Sequence, residues 1–78
     1  MPALLKTQLS VEIYEIFKQM NISQNEFAKL LGIRQPKVSR LFGGHLKEFS
    51  LEKLIEFLQL LDRYVELKIT KDRVNAKR

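Results

Sequence analysis

Apolar residues recur at helical intervals over most of the chain. Between about Thr7 and Met20 they stand at Leu9, Ile13, Ile16, Phe17 and Met20, three and four apart. That spacing gathers them on one face of a helix, with Glu12, Glu15, Lys18 and Gln19 largely on the other. Residues 1–5 fit either a short extended arm or the first turn of that helix. A second helix opens at Ser23, where three start signals coincide. Ser23 is an N-cap type, Glu26 completes a capping box, and Ile22 and Phe27 are spaced as a hydrophobic staple. Phe27, Ala28, Leu30 and Leu31 form its apolar side, and Gly32 ends it in the left-handed conformation that glycine adopts cheaply. Ile33 fills the corner. Pro36 falls in the first turn of a third helix, where its missing N–H costs nothing, and Gln35 stands at the cap or first position. Val38, Leu41 and Phe42 turn inward, leaving Gln35, Pro36, Ser39 and Arg40 outward and Lys37 on the flank.

Gly43-Gly44 closes the third helix, and a loop runs to Phe49. Ser50 then caps a further helix with Leu51, Leu54, Ile55, Leu58 and Leu61 on one side. Phe49 is placed to staple onto Leu54, and Glu52 sits where the helix dipole favours an acid. From Tyr64 the period changes. Val65, Leu67 and Ile69 alternate with Glu66, Lys68 and Thr70, which predicts a β-strand over 64–70. With no second strand in the chain, its unpaired backbone groups call for a partner strand from a second copy or another protein. The alternatives are a frayed helical extension or a strand packed with residues 1–5. Residues 71–78, KDRVNAKR, read as a flexible basic tail. The expected architecture is therefore all-α, four or five helices over residues 1–70 with a helix-turn-helix at 23–43, plus a dimerisation strand at 64–70.

Charge narrows the function. From Phe27 to Lys47 there are five basic residues, Lys29, Arg34, Lys37, Arg40 and Lys47, and no acid. The remaining nine basic and nine acidic residues cancel, so the whole net charge of +5 sits on this stretch. A polyanion is the matching partner. Composition removes other classes. At 78 residues the chain makes one small domain with a modest core, for which oligomerisation is expected. It has no cysteine, which excludes disulfides and thiolate metal sites and fits a reducing cytoplasm. No apolar run approaches the roughly 20 residues of a membrane span, and the start, MPALLKTQL, is too short and polar for a signal peptide. One histidine, no metal-ligand spacing and no phosphate loop of the GxxxxGK[ST] kind argue against an enzyme, a metal or a cofactor. His45, beside two glycines, reads as a loop residue.

Ser23–Gly43 resembles the helix-turn-helix of the lambda-repressor-like, Xre-type DNA-binding proteins. The likeness rests on Gln24, Ala28, Gly32, Ile33, Val38 and Leu41. It extends through Gln35–Leu41, the Gly-rich loop and Phe49-Ser50-Leu51 to cover about residues 4–69, where it is similar to small Xre-type antitoxins of the HigA type and to stand-alone regulators. The resemblance implies base-reading positions at Gln35, Pro36 and Arg40, a phosphate clamp at Gln24, and, for the antitoxin version, a RelE-like ribonuclease toxin as partner. Side-chain chemistry agrees: Gln35 can pair with adenine, Arg40 with guanine, Ser39 with either, and Pro36 can pack on a thymine methyl or simply set the helix start. Lys29, Arg34, Lys37, His45 and Lys47 are candidates for phosphate contacts, which position without specifying. Each also has an ordinary reading as a solvated residue. One recognition helix reads only a few base pairs, so a homodimer on an inverted repeat is expected. Its contact would be Tyr64, Val65, Leu67 and Ile69 in the strand, or Leu58, Leu61 and Tyr64 in the last helix. The rival reading is a protein-interaction module that has lost DNA binding.

Overall fold

Four α-helices and one 3-10 turn follow one another in the computed structural model, which describes the backbone of residues 2–76 and the side chains of residues 4–63. Helix α1 is Pro2–Met20, α2 Gln24–Leu31, α3 Gln35–Phe42 and α4 Leu51–Ala76, with the 3-10 turn at Leu46–Glu48 between α3 and α4. α1 begins upstream of Thr7, with Pro2 as its first residue, a position where proline is at home. Asn21 ends it at φ 55°, a left-handed conformation that asparagine tolerates.

The α2 start forms as its signals demand. The Glu26 N–H donates to Ser23 Oγ at 3.1 Å, and the Ser23 N–H donates to Glu26 Oε1 at 3.2 Å. Ser50 caps α4 through an Oγ that accepts the Lys53 N–H at 3.0 Å. Each bond satisfies a helix-end donor that would otherwise lack a partner.

The helices close over one apolar core: Ile13 from α1, Phe27, Ala28 and Leu31 from α2, Val38 and Leu41 from α3, Phe49 from the loop, and Leu54, Phe57 and Leu61 from α4. Leu9, Ile16, Phe17, Met20, Ile22, Ile33 and Phe42 pack against it at the edges. An aromatic cluster ties α1 to the α2–α3 pair: Phe17 lies 4.9 Å from Phe27 and 5.1 Å from Phe42, ring centre to ring centre, and Tyr14 meets Phe42 edge-on at 5.0 Å. Rings in such tilted arrangements add to burial through their quadrupoles.

Two expectations are corrected. The strand at 64–70 does not form: α4 continues through these residues to Ala76, and the described backbone holds no strand. The reason is the one that made the strand uncomfortable. A lone strand satisfies none of its N–H and C=O groups, whereas a helix satisfies them from its own neighbours, and residues 51–76 contain neither proline nor glycine to stop it. Leu61, Val65 and Ile69 also stand four apart, so the same residues carry a helical register beneath the alternation. The second correction concerns which side of α4 faces in. Phe57 is buried, while Ile55 is 41 % exposed. Around a helix of 3.6 residues per turn, Phe57 lies about 40° from Leu61 and Ile55 about 120° from it in the opposite sense. The buried arc turns toward Phe57 because Phe49 waits there, its ring edge-on to Phe57 at 6.3 Å.

Truncation separates the two sides of α4. Phe57→Ala should cost about 3–5 kcal/mol, and Ile55→Ala less than about 1 kcal/mol, in urea denaturation; equal costs would contradict this burial.

Candidate nucleic-acid interface

The angle between α2 and α3 is set by a three-residue turn. Gly32 sits at φ 72°, ψ 29°, and its N–H donates to the Lys29 carbonyl at 3.3 Å. The Ile33 N–H reaches back to the Ala28 carbonyl at 3.0 Å. These two crossed bonds satisfy the last carbonyls of α2 and aim the chain into α3. Arg34 then takes an extended conformation as the N-cap of α3, and its carbonyl accepts the Lys37 N–H at 2.9 Å. Gln35 is the first helical residue and Pro36 the second.

Val38 and Leu41 are buried beneath α3, so the opposite side is turned outward. Pro36, Ser39 and Arg40 are exposed there. Gln35 is half-buried because its Nε2 donates to Gln24 Oε1 at 2.6 Å. Gln24 is the first residue of α2, so one side-chain bond ties the N-terminal ends of both helices together. The bond leaves Gln35 with its carbonyl oxygen and a second N–H, the acceptor–donor pair that an adenine edge requires.

The residues predicted to contact phosphate differ in their surroundings. Lys29 on α2, Arg34 in the turn, and His45 and Lys47 in and after the loop are exposed. Lys37 is exposed on the flank of α3 and holds its ammonium 4.9 Å above the Phe49 ring, a cation–π contact that draws it toward the loop side. Arg40 is paired: its Nη1 lies 3.1 Å from Glu48 Oε1. The side chains of Tyr64, Val65, Leu67 and Ile69 lie outside the described residues.

Sequence reasoning missed Glu48. The acid-free stretch ends at Lys47, one residue short of it, and nothing in the linear order shows that a loop returns residue 48 to the end of α3. It also missed an open cleft of about 560 Å³ beside Gln24, where Thr7, Ser10 and Tyr14 of α1 face Phe42 and Gly44. The signal was there in the sequence: hydroxyl residues three and four apart along one flank of the core stripe of α1. Among the described residues, no group of three or more His, Cys, Asp or Glu is placed to hold a metal ion, and no helix is long and apolar enough to cross a membrane.

Two helices joined by a tight glycine turn, the second with one face buried and the other presented outward, define a helix-turn-helix protein. The chain belongs to the helix-turn-helix domain family, whose model matches residues 3–70. Comparison with curated proteins gave no match. Comparison with solved structures gave none either.

The turn itself can be tested. A Cβ added at Gly32 meets nothing within 4 Å, so the cost of a side chain there is purely conformational. Gly32→Val should therefore destabilise the fold by about 1–2 kcal/mol, which for a domain this small lowers Tm by roughly 5–15 °C. An unchanged Tm would show that the turn does not depend on positive φ.

Proposed function

We propose that this protein is a sequence-specific DNA-binding regulator, a repressor that works as a homodimer. The observation that carries the reading is the outward face of α3: Gln35, Pro36, Ser39 and Arg40 stand together on it, inside the stretch that holds the net charge of +5. In this mode α3 enters the major groove and α2 crosses the backbone. Gln35 reads adenine, Arg40 reads guanine and Ser39 accepts either; Pro36 has no donor and packs on a thymine methyl. Gln24 and the α2 N-terminus face a phosphate, with the helix dipole favouring the negative charge. Lys29, Arg34, Lys37, His45 and Lys47 supply further phosphate contacts.

Dimerisation falls to α4. Its 26 residues span about 39 Å at 1.5 Å per residue, long enough to serve both the core and an interface. A helical stretch is marginal in water without a packed face. Leu60, 39 % exposed, begins a row that continues in sequence through Tyr64 and Leu67, and Val65 and Ile69 extend a second row. A second copy of α4 is the partner we assign to them, in place of a strand.

The antitoxin role implied by the resemblance is a finer version of this reading. It adds a RelE-like ribonuclease toxin, and what supports it is the Xre-type likeness over about residues 4–69. A short adjacent gene for a basic protein of that kind separates it from a stand-alone regulator.

Two experiments test the proposal. Binding to a selected duplex should weaken steeply with salt, with a slope of about −0.9 per phosphate engaged. Gln35→Ala should cost about 1–3 kcal/mol on that duplex and little on scrambled sequence, while Lys29→Ala should weaken both alike; salt-insensitive binding would favour the protein-interaction module. In sedimentation, the wild type should run as a dimer and Leu60→Glu with Leu67→Glu as a monomer. A wild type that is monomeric both free and on DNA would remove the dimer.

A further inference from the structure

We propose that Glu48 is the residue that makes Arg40 selective: it holds one end of the guanidinium and leaves the guanine-reading edge pointing outward. The inference rests on the DNA-binding reading above. Two ion pairs occur among the described residues, Arg40–Glu48 at 3.1 Å and Lys53–Glu56 at 3.1 Å within α4. Arg40 is thus the cation of the 27–47 stretch that is tethered to a carboxylate. The pair is reachable from solvent, with the Arg40 side chain 60 % exposed and that of Glu48 36 %.

Both ends of the tether are anchored by backbone. The Arg40 carbonyl accepts the His45 N–H at 3.0 Å, and the Gly43 N–H donates to the Ser39 carbonyl at 2.9 Å, which folds the Gly43-Gly44 loop back onto the end of α3. On the other side of that loop, the Glu48 N–H donates to the His45 carbonyl at 3.2 Å, and the Phe49 N–H to the Leu46 carbonyl at 3.1 Å. Phe49 is buried, so the 3-10 turn carrying Glu48 is nailed to the core one residue further on. The backbone that carries Glu48 therefore stands at a fixed place beside α3, within reach of Arg40.

The chemistry follows from which nitrogen is used. Glu48 takes Nη1, the terminal nitrogen on the Cδ side of the guanidinium. Nη2 and Nε remain, and their N–H bonds lie side by side as a fork. A fork of two parallel donors matches the O6 and N7 of guanine. An untethered arginine on a surface this basic would be drawn to whichever phosphate lies nearest, adding affinity without discrimination. Glu48 opposes that in two ways: it restricts the guanidinium, and its charge repels phosphates from the same spot. Affinity for arbitrary DNA is lowered so that the difference between sites is raised, which is how specificity is commonly obtained.

The test selects binding sites from a random duplex library with the full chain as wild type, Glu48→Gln, Arg40→Ala and the double variant, then measures each on the selected duplex and on scrambled sequence. The wild type should enrich a guanine at one position of each half-site. Glu48→Gln should bind scrambled DNA about threefold or more tightly, consistent with loss of one nearby negative charge, and lose most of a guanine preference of roughly tenfold. Its Tm should stay close to that of the wild type, because exposed ion pairs contribute little to stability. On the Arg40→Ala background, Glu48→Gln should leave base preference unchanged. A Glu48→Gln that keeps the preference, or one that strengthens all duplexes equally with and without Arg40, would overturn this proposal and leave the regulator reading intact; a wild type that selects sites without guanine would overturn it and also remove Arg40 as the reader of guanine, leaving only DNA binding itself. A wild type with no salt-dependent binding to any duplex would overturn both.

Discussion

Everything presented by α3 depends on the left-handed turn at Gly32. A residue with a Cβ would pay to adopt φ 72°, and the two crossed hydrogen bonds to Lys29 and Ala28 hold only if the chain reverses there. Ile33 follows directly and packs against the core, so the turn is locked by burial as well as by bonding. With that angle fixed, Val38 and Leu41 go under α3, and the side chains at 35, 36, 39 and 40 have only one way to face. The outward face of α3 is held in place because its far side is packed.

The outward face of α3 is also more finely arranged than its charge suggests. Gln24 holds Gln35, Glu48 holds Arg40, and Phe49 holds Lys37, each from a different element. Three of the predicted contact residues therefore start from defined positions, while Lys29, Arg34 and Lys47 remain exposed with long, flexible stems. That division suits a surface in which a few side chains discriminate and the rest supply general attraction. Preorganised groups lose less conformational freedom on binding, and long-range attraction needs little geometry.

α4 divides in a similar way. Up to Leu61 it is a core helix, with Leu54, Phe57 and Leu61 closing the space over α1 and α2. Beyond that it continues as helix to Ala76. For a chain of 78 residues with one small core, association through the sequence row Leu60, Tyr64 and Leu67 is the role proposed for this helix.

The local rules of the chain were readable from the sequence. Ser23 with Glu26, Gly32 in the turn, Pro36 in the first turn of α3 and Ser50 before α4 each act through bonds or dihedrals within four or five residues, so their consequences travel with the sequence. The outward set on α3 was legible for the same reason: one helix period, with its buried side marked by Val38 and Leu41. Three things were decided only in three dimensions. Residues 64–70 stayed helical despite their alternation because α4 continues through them and satisfies their backbone groups from its own neighbours. Phe57 rather than Ile55 became core because Phe49, eight residues earlier and just ahead of the helix start, meets its ring. Glu48 reached Arg40 because the Gly43-Gly44 loop folds back, joining charges that the linear count had kept apart. In the last two cases the deciding partner lies beyond one helical turn, where spacing carries no information and only the packed chain brings the groups together.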